Sequence, residues 1–146
     1  MDNYIKFEFL SLPINISIAR SAAACFAAGA DPTLETIADV RTAVSEAVTN
    51  AVVHAYPDSV GRVVMECELN GGVLAVTVSD DGCGIADVEQ AMQPFFTTGN
   101  EDERTGMGFA VMNAFMDMLE VKSSVGKGTV VTMKKLLSAE DKSENG

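Results

Sequence analysis

Glu46 and Asn50 stand four residues apart in the run Ser45-Glu46-Ala47-Val48-Thr49-Asn50-Ala51-Val52-Val53-His54-Ala55-Tyr56. On a helix that spacing puts both side chains on one face, with His54 one turn further along. A carboxylate so placed can accept a proton from an incoming hydroxyl as a general base. An amide oxygen can complete the shell of Mg²⁺, which takes few protein ligands and fills the rest with phosphate oxygens and water. Taken alone, the pair also fits the solvated edge of an amphipathic helix, since the residues around it from Ala43 to Val53 are largely apolar. Two further segments make the bland reading harder to keep.

The first is Asp80-Asp81-Gly82-Cys83-Gly84, which follows an alternating apolar run. Asp and Gly are ordinary turn residues. They also suit a base: the carboxylate of Asp80 can accept from the adenine amino group, and Gly82 and Gly84 let the backbone approach without a Cβ in the way. Guanine has no amine at that position, so such a feature selects ATP over GTP. The second segment is Arg104-Thr105-Gly106-Met107-Gly108-Phe109. Gly106 and Gly108 are placed where a loop enters a helix, and free N–H groups there favour phosphate. Arg104 could neutralise γ-phosphate charge during transfer. Thr97, Thr98 and Thr105 offer hydroxyls nearby. No Gly-x-x-x-x-Gly-Lys-Ser/Thr sequence is present, which excludes a P-loop enzyme.

The elements that must carry these groups can be read from periodicity. Residues 4–10 alternate, with Ile5, Phe7 and Phe9 on one face, as a half-buried strand does. Residues 15–28 form an alanine-rich helix with Ile18, Ala22, Cys25 and Phe26 as its expected buried stripe and Gly29 as its stop. Asp31-Pro32 offers an N-cap and first-turn proline for a second helix that buries Ile37, Val40, Val44, Val48 and Val52 and runs to about His54. Residues 62–69 and 73–79 are strands around the hairpin signal Asn70-Gly71-Gly72. Residues 85–105 show little sustained periodicity and read as a lid. A third helix is expected over 108–118, with Met107, Met112, Met116 and Met118 filling core space. Residues 119–124 and 129–135 form a last hairpin. The expected domain is 1–137, with 138–146 a polar tail.

Bulk properties bound the function. A chain of 146 residues with 47% hydrophobic content suits one globular domain. A net charge of −11 argues against direct nucleic-acid binding, which rests on Lys and Arg. No stretch approaches the roughly 20 apolar residues of a membrane span. Cys25, Cys67 and Cys83 form neither a metal pattern nor a disulfide framework, so a cytoplasmic location is expected.

The three segments, in this order, resemble the ATP site of the family that includes gyrase B, Hsp90, MutL and the sensor histidine kinases. The ending Asn50-Ala51-Val52-Val53-His54-Ala55-Tyr56 is similar to the anti-sigma serine kinases of Gram-positive bacteria, above all those of sporulation, which commonly read Asn-Ala-x-x-His-Gly-Tyr; here Ala55 replaces the glycine. No histidine-acceptor segment is expected before the domain and no transducer after it. The resemblance covers residues 4–136. It implies an α/β two-layer sandwich, a mixed, mostly antiparallel sheet covered on one face by helices, with an ATP lid. It implies Mg-ATP as cofactor, Glu46 as general base, Asn50 as metal ligand, Asp80 on adenine and Thr129 beside it. It implies a sigma factor of the sigma-F type as partner, a serine on an anti-anti-sigma factor as substrate, and a homodimer. Arg20, the one basic residue between Lys6 and Arg41, is a candidate partner contact. The alternative is a non-catalytic, nucleotide-gated sigma-binding module. Glu46 argues against it, because a module without transfer activity need not keep a carboxylate there.

Overall fold

The computed structural model describes residues 1–92 and 104–137, without the side chains of Arg104, Thr105 and Gly106. Five strands form one sheet: β1 (Asn3–Leu10), β2 (Arg62–Asn70), β3 (Val73–Asp80), β4 (Met118–Ser124) and β5 (Gly128–Leu136). Their order is β1-β2-β3-β5-β4, and all four pairings are antiparallel. The β2–β3 turn is made by Gly71 and Gly72, both at positive φ (55° and 82°), which is what a two-residue hairpin demands.

Alternation along the strands decides which face is covered. Val63, Met65 and Cys67 of β2, Leu74, Val76 and Val78 of β3, and Val131 and Met133 of β5 are buried in one cluster with the helices. The helices are α1 (Ile14–Ala28), α2 (Leu34–Thr49), the single turn α3 (Val88–Ala91) and α4 (Arg104–Phe115). Val40, Val44 and Val48 of α2 are fully buried, as their spacing predicts, while Ile37 is only half-buried.

The expected stripe of α1 holds at Phe26, which is buried, and at Ala22, which is partly buried, and is corrected at its other two residues. Ile18 is 62% exposed and Cys25 is exposed, whereas Ala19, Ala23 and Ala27 are buried beside Ala43, Ala47 and Ala51. Small side chains let α1 lie close on α2, so the alanine face wins over the larger isoleucine face. The start of α2 also moves. Asp31 takes φ +56° at the end of the α1 connection, and Thr33 is the cap, accepting from the Thr36 N–H at 3.1 Å. Gly29 itself stays right-handed at φ −62°.

Two boundaries near the lid differ. A turn of helix forms at Val88–Ala91, capped by Asp87, whose Oδ1 accepts from the Gln90 N–H at 3.0 Å. Helix α4 begins at Arg104 rather than Gly108 and stops at Phe115. Its end is held by Lys135, whose buried Nζ donates to the Phe115 carbonyl at 2.6 Å and pairs with Asp39 at 3.7 Å. Of the four methionines, Met112 and Met116 are core, but Met107 and Met118 are each 38% exposed.

Candidate nucleotide site

Helix α2 does not end as an α-helix. Its last residues pass into a π turn, Asn50–His54, in which the Ala55 N–H reaches the Asn50 carbonyl at 3.2 Å. At the junction Thr49 donates its hydroxyl back to the Ser45 carbonyl at 2.7 Å, a contact that loosens and bends helices. Single π turns are frequent at functional sites. Here the turn begins at Asn50. A Cβ built on Gly108 of α4 would lie 3.4 Å from Asn50 Nδ2 and Glu46 Oε2, and 3.5 Å from Asn50 Oδ1. Glu46 and Asn50 thus converge on one point of α4, and a residue with no side chain keeps that point clear. The nitrogen of the Asn50 amide is buried and has no hydrogen-bond partner. A half-turn of the amide exchanges its nitrogen and oxygen, so the site presents a polar atom still open to a ligand.

Strand β3 delivers Asp80 to the other end of the site. Its Oδ1 accepts from the Gly82 N–H at 2.9 Å. Burial pushes its carboxyl above the usual aspartate range; the N–H groups of Gly82 and Thr129 partly oppose this, and neighbouring Asp81 adds to it. The glycines of this turn are there for close approach. A Cβ on Gly82 would sit 2.2 Å from the Ala55 carbonyl oxygen, and Gly84, at φ +76°, would meet the Ser124 carbonyl oxygen at 2.1 Å. Two hydrogen bonds fix the turn from its two sides: Cys83 N–H to the Ala55 carbonyl at 2.9 Å, and Gly126 N–H to the Cys83 carbonyl at 2.8 Å. Thr129 lies opposite Asp80 in the β3–β5 register, and its hydroxyl is 2.7 Å from that of Ser123.

Between these ends lies a cleft of about 490 Å³ of empty space, part of it open to solvent. Asn50, His54, Asp80, Cys83, Gly84 and Thr129 supply its polar lining, and Ala47, Ala51, Val78, Ile85, Phe109 and Val131 its apolar walls. Its mostly apolar walls with a few convergent polar groups are the kind of lining that holds a small organic ligand. Of the residues expected from sequence, the structure brings Asn50, Asp80, Gly84 and Thr129 to the cleft. Glu46 stands beside Asn50 but faces a neighbouring polar pocket that it shares with Arg20, Arg41, Thr42 and Ser45. The Nε of Arg20 is buried without a partner there, and its Nη2 is 3.4 Å from the Ser17 hydroxyl.

Gly106 is the third residue of α4 and Gly108 the fifth, so only Gly106 lies among the first N–H groups of the helix. Arg104 and Thr105 open that helix. Thr97 and Thr98 lie outside the described residues, as does most of the expected lid. Sequence reasoning missed Tyr56 and Ser123. Ser123 Oγ accepts from the Ile85 N–H at 2.8 Å and donates to the Gly128 carbonyl at 3.0 Å, joining the base-side turn to the last hairpin. No local pattern marks that serine; the Asn-to-Tyr motif did contain Tyr56.

Mg²⁺ fits these residues in the way a phosphate-bound ion does. Among the described residues no group of three His, Cys, Asp or Glu could cage a metal. Asn50 would contribute a protein oxygen, with phosphate and water filling the rest of the shell.

Comparison with known proteins gives the family and the fold. Residues 9–135 match the model of the histidine kinase-like ATPase domain. The chain is 50% identical over 138 residues to the anti-sigma F factor of Thermoanaerobacter sp. strain X514, covering 94% of this chain and 96% of that one. It is 52% identical to the anti-sigma F factor of Caldanaerobacter subterraneus subsp. tengcongensis, covering 93% and 95%. Among solved structures, the RsbU and RsbW domains of a Mycobacterium tuberculosis protein superpose with a TM-score of 0.67 at 21% identity, over 92% of this chain and 32% of that longer one. A blue-light activated histidine kinase of Erythrobacter litoralis gives 0.61 at 27% identity, over 90% and 43%.

Proposed function

The chain belongs to the histidine kinase-like ATPase domain family and, within it, to the anti-sigma F factors, and on that footing we propose that it is an ATP-dependent protein serine kinase that also sequesters a sigma factor. The observation that carries this reading is the convergence of Glu46 and Asn50 on Gly108, with Asn50 also lining a cleft that holds Asp80 and Thr129. A binding module needs the cleft; only transfer needs a carboxylate beside the Asn50 amide.

ATP enters as substrate. Asp80 accepts from the adenine amino group, and the glycine turn behind it lets the base lie against backbone. Asn50 would hold Mg²⁺, which when bound screens the charge of the terminal phosphates. Glu46 takes the proton from a serine hydroxyl of an anti-anti-sigma factor. The serine oxygen forms its bond to the γ-phosphorus while the bond to the β-γ bridging oxygen breaks, and ADP leaves with that electron pair. Arg104, Thr105 and Gly106 open α4, where unpaired N–H groups and a cation suit the phosphates. Thr97 and Thr98 belong to the same phosphate-side group in this reading.

Arg20 shares a pocket with Glu46, so a partner contacting Arg20 would lie next to the proposed base. The sigma factor would be of the sigma-F type, and the work would take place in the cytoplasm. A homodimer through the open side of edge strand β1 completes the proposal. Among the described residues no helix is long and apolar enough to cross a membrane. The test is direct: purified protein, labelled ATP, Mg²⁺ and an anti-anti-sigma factor should yield phosphoserine on the latter. Nucleotide-dependent sigma binding without any phosphoserine would leave the non-catalytic module in its place.

A further inference from the structure

Tyr56 closes the segment that begins with Glu46, yet it lies outside the residues lining the cleft. Its hydroxyl makes two hydrogen bonds. It donates to the Arg62 carbonyl at 2.7 Å and accepts from the Asp81 N–H at 2.7 Å. Asp81 is the residue immediately after the carboxylate proposed to read adenine. The ring occupies space left by Gly61, where a Cβ would come within 2.1 Å of it. Burial holds the phenol above its ordinary range, so the proton it donates stays in place across physiological pH.

The neighbouring residue acts on the same turn. The Ala55 carbonyl accepts from the Cys83 N–H at 2.9 Å. Residues 55 and 56 therefore grip the turn on both sides of Gly82, at Asp81 and at Cys83. The same two residues directly follow the π turn that begins at Asn50. The base end and the metal end of the cleft thus hang on one short stretch of chain. Asp81 and Arg62 are both exposed residues, so the hydroxyl's two partners belong to the surface and not to the core. What the hydroxyl supplies is a fixed position for the turn.

We propose that Tyr56 is a positioning residue for base recognition, holding the Asp80–Cys83 turn at the distance from the cleft at which Asp80 can discriminate adenine from guanine. This deepens the nucleotide reading above and rests on it. The hydroxyl bonds the turn from outside the cleft lining, so its loss should be felt in base selectivity and not in the transfer step.

Two substitutions separate positioning from simple stability. Tyr56→Phe keeps the ring and removes both hydrogen bonds. Gly61→Ala keeps the hydroxyl and forces the ring to move. Equilibrium binding of ATP and GTP and steady-state phosphorylation would be measured for each against the parent protein. Both variants should weaken ATP by roughly three- to tenfold, the reach of about one neutral hydrogen bond. GTP should change less, so the ATP-to-GTP preference falls, and KM for ATP should rise with kcat near the parent value. A parent-like preference in both variants, or equal losses for the two nucleotides, would overturn the proposal and leave Tyr56 a structural residue. A parent protein that shows no preference for ATP at all would instead overturn the adenine reading of Asp80, a separate result visible before any variant is made.

Discussion

Asp80→Asn should move nucleotide affinity and unliganded stability in opposite directions. Asp80 is half-buried, and burial raises its folded-state pKa above the ordinary value. The sign then follows. A raised folded pKa means that this group's stabilising contribution is full below the unfolded value, near pH 4, and is lost as pH rises through the folded value. At neutral pH the ionised carboxylate is therefore a cost to the empty protein. Asparagine removes the charge, and its oxygen can still accept from the Gly82 N–H now 2.9 Å away. The empty variant should melt at or above the parent at pH 7, with the gap closing toward pH 4. With ATP the order reverses. Losing a hydrogen bond to a charged group costs about 1.5–3 kcal/mol, or roughly ten- to 150-fold in affinity. At an ATP concentration of about 100 times the parent Kd, linkage stabilises the parent by about 2.7 kcal/mol. A hundredfold weaker variant gains only about 0.4 kcal/mol under the same conditions. For a domain of this size that is a melting shift on the order of 10 °C against about 1–2 °C. Thermal melts from pH 4 to pH 8, with ATP, with GTP and with neither, read all of this. An empty variant clearly less stable at pH 7, or one that keeps the full ATP shift, would refute the reasoning.

Glu46→Ala should lower phosphoryl transfer by roughly 10²–10⁴ while ATP binding survives, measured by phosphoserine yield beside nucleotide titration; transfer at the parent rate would remove Glu46 as base. Asn50→Ala should weaken ATP more in Mg²⁺ than in EDTA, because it deletes a metal ligand; equal losses in both would mean the amide does not serve the ion. The cysteines should separate by reactivity. Cys67 is buried and its thiol is pushed up to about 12, so it should resist a thiol reagent in the folded protein, while exposed Cys25 and Cys83 react. Since Cys83 lines the cleft, Mg-ATP should slow its labelling and leave Cys25 unchanged; mass spectrometry of the labelled peptides would show it.

The strands were legible because one face of the sheet is buried and a period of two cannot be mistaken there: Ile5, Phe7 and Phe9 point inward as their alternation says. Helix α2 was legible for the same kind of reason, with three valines at four-residue steps fully buried. The span of helix α1 and the burial of Phe26 were legible too, but the rest of its buried face was not, because periodicity weighs residues by hydrophobicity and packing weighs them by fit. Ala19, Ala23 and Ala27 look like filler beside Ile14 and Ile18, yet the small residues make the interface and the isoleucines face outward, 72% and 62% exposed. Amide, carboxylate and glycine spacing pointed to Asn50, Asp80 and Gly84, which line the cleft, whereas Thr129, which also lines it, was expected from the resemblance alone.

What the sequence hid is how the two ends of the cleft are joined. A π turn has no propensity signal distinct from an α-helix, so the run through His54 reads as one helix until the Ala55 N–H is seen reaching the Asn50 carbonyl. Once it is seen, Ala55 and Tyr56 acquire a reason to be where they are. The turn delivers one backbone carbonyl and one phenol to the glycine loop, and that loop accepts them because Gly82 leaves no Cβ between itself and Ala55. Residues 50–56 therefore join the two ends of the cleft along the chain: the π turn that starts at Asn50 runs directly into the two residues whose carbonyl and phenol hold Cys83 and Asp81.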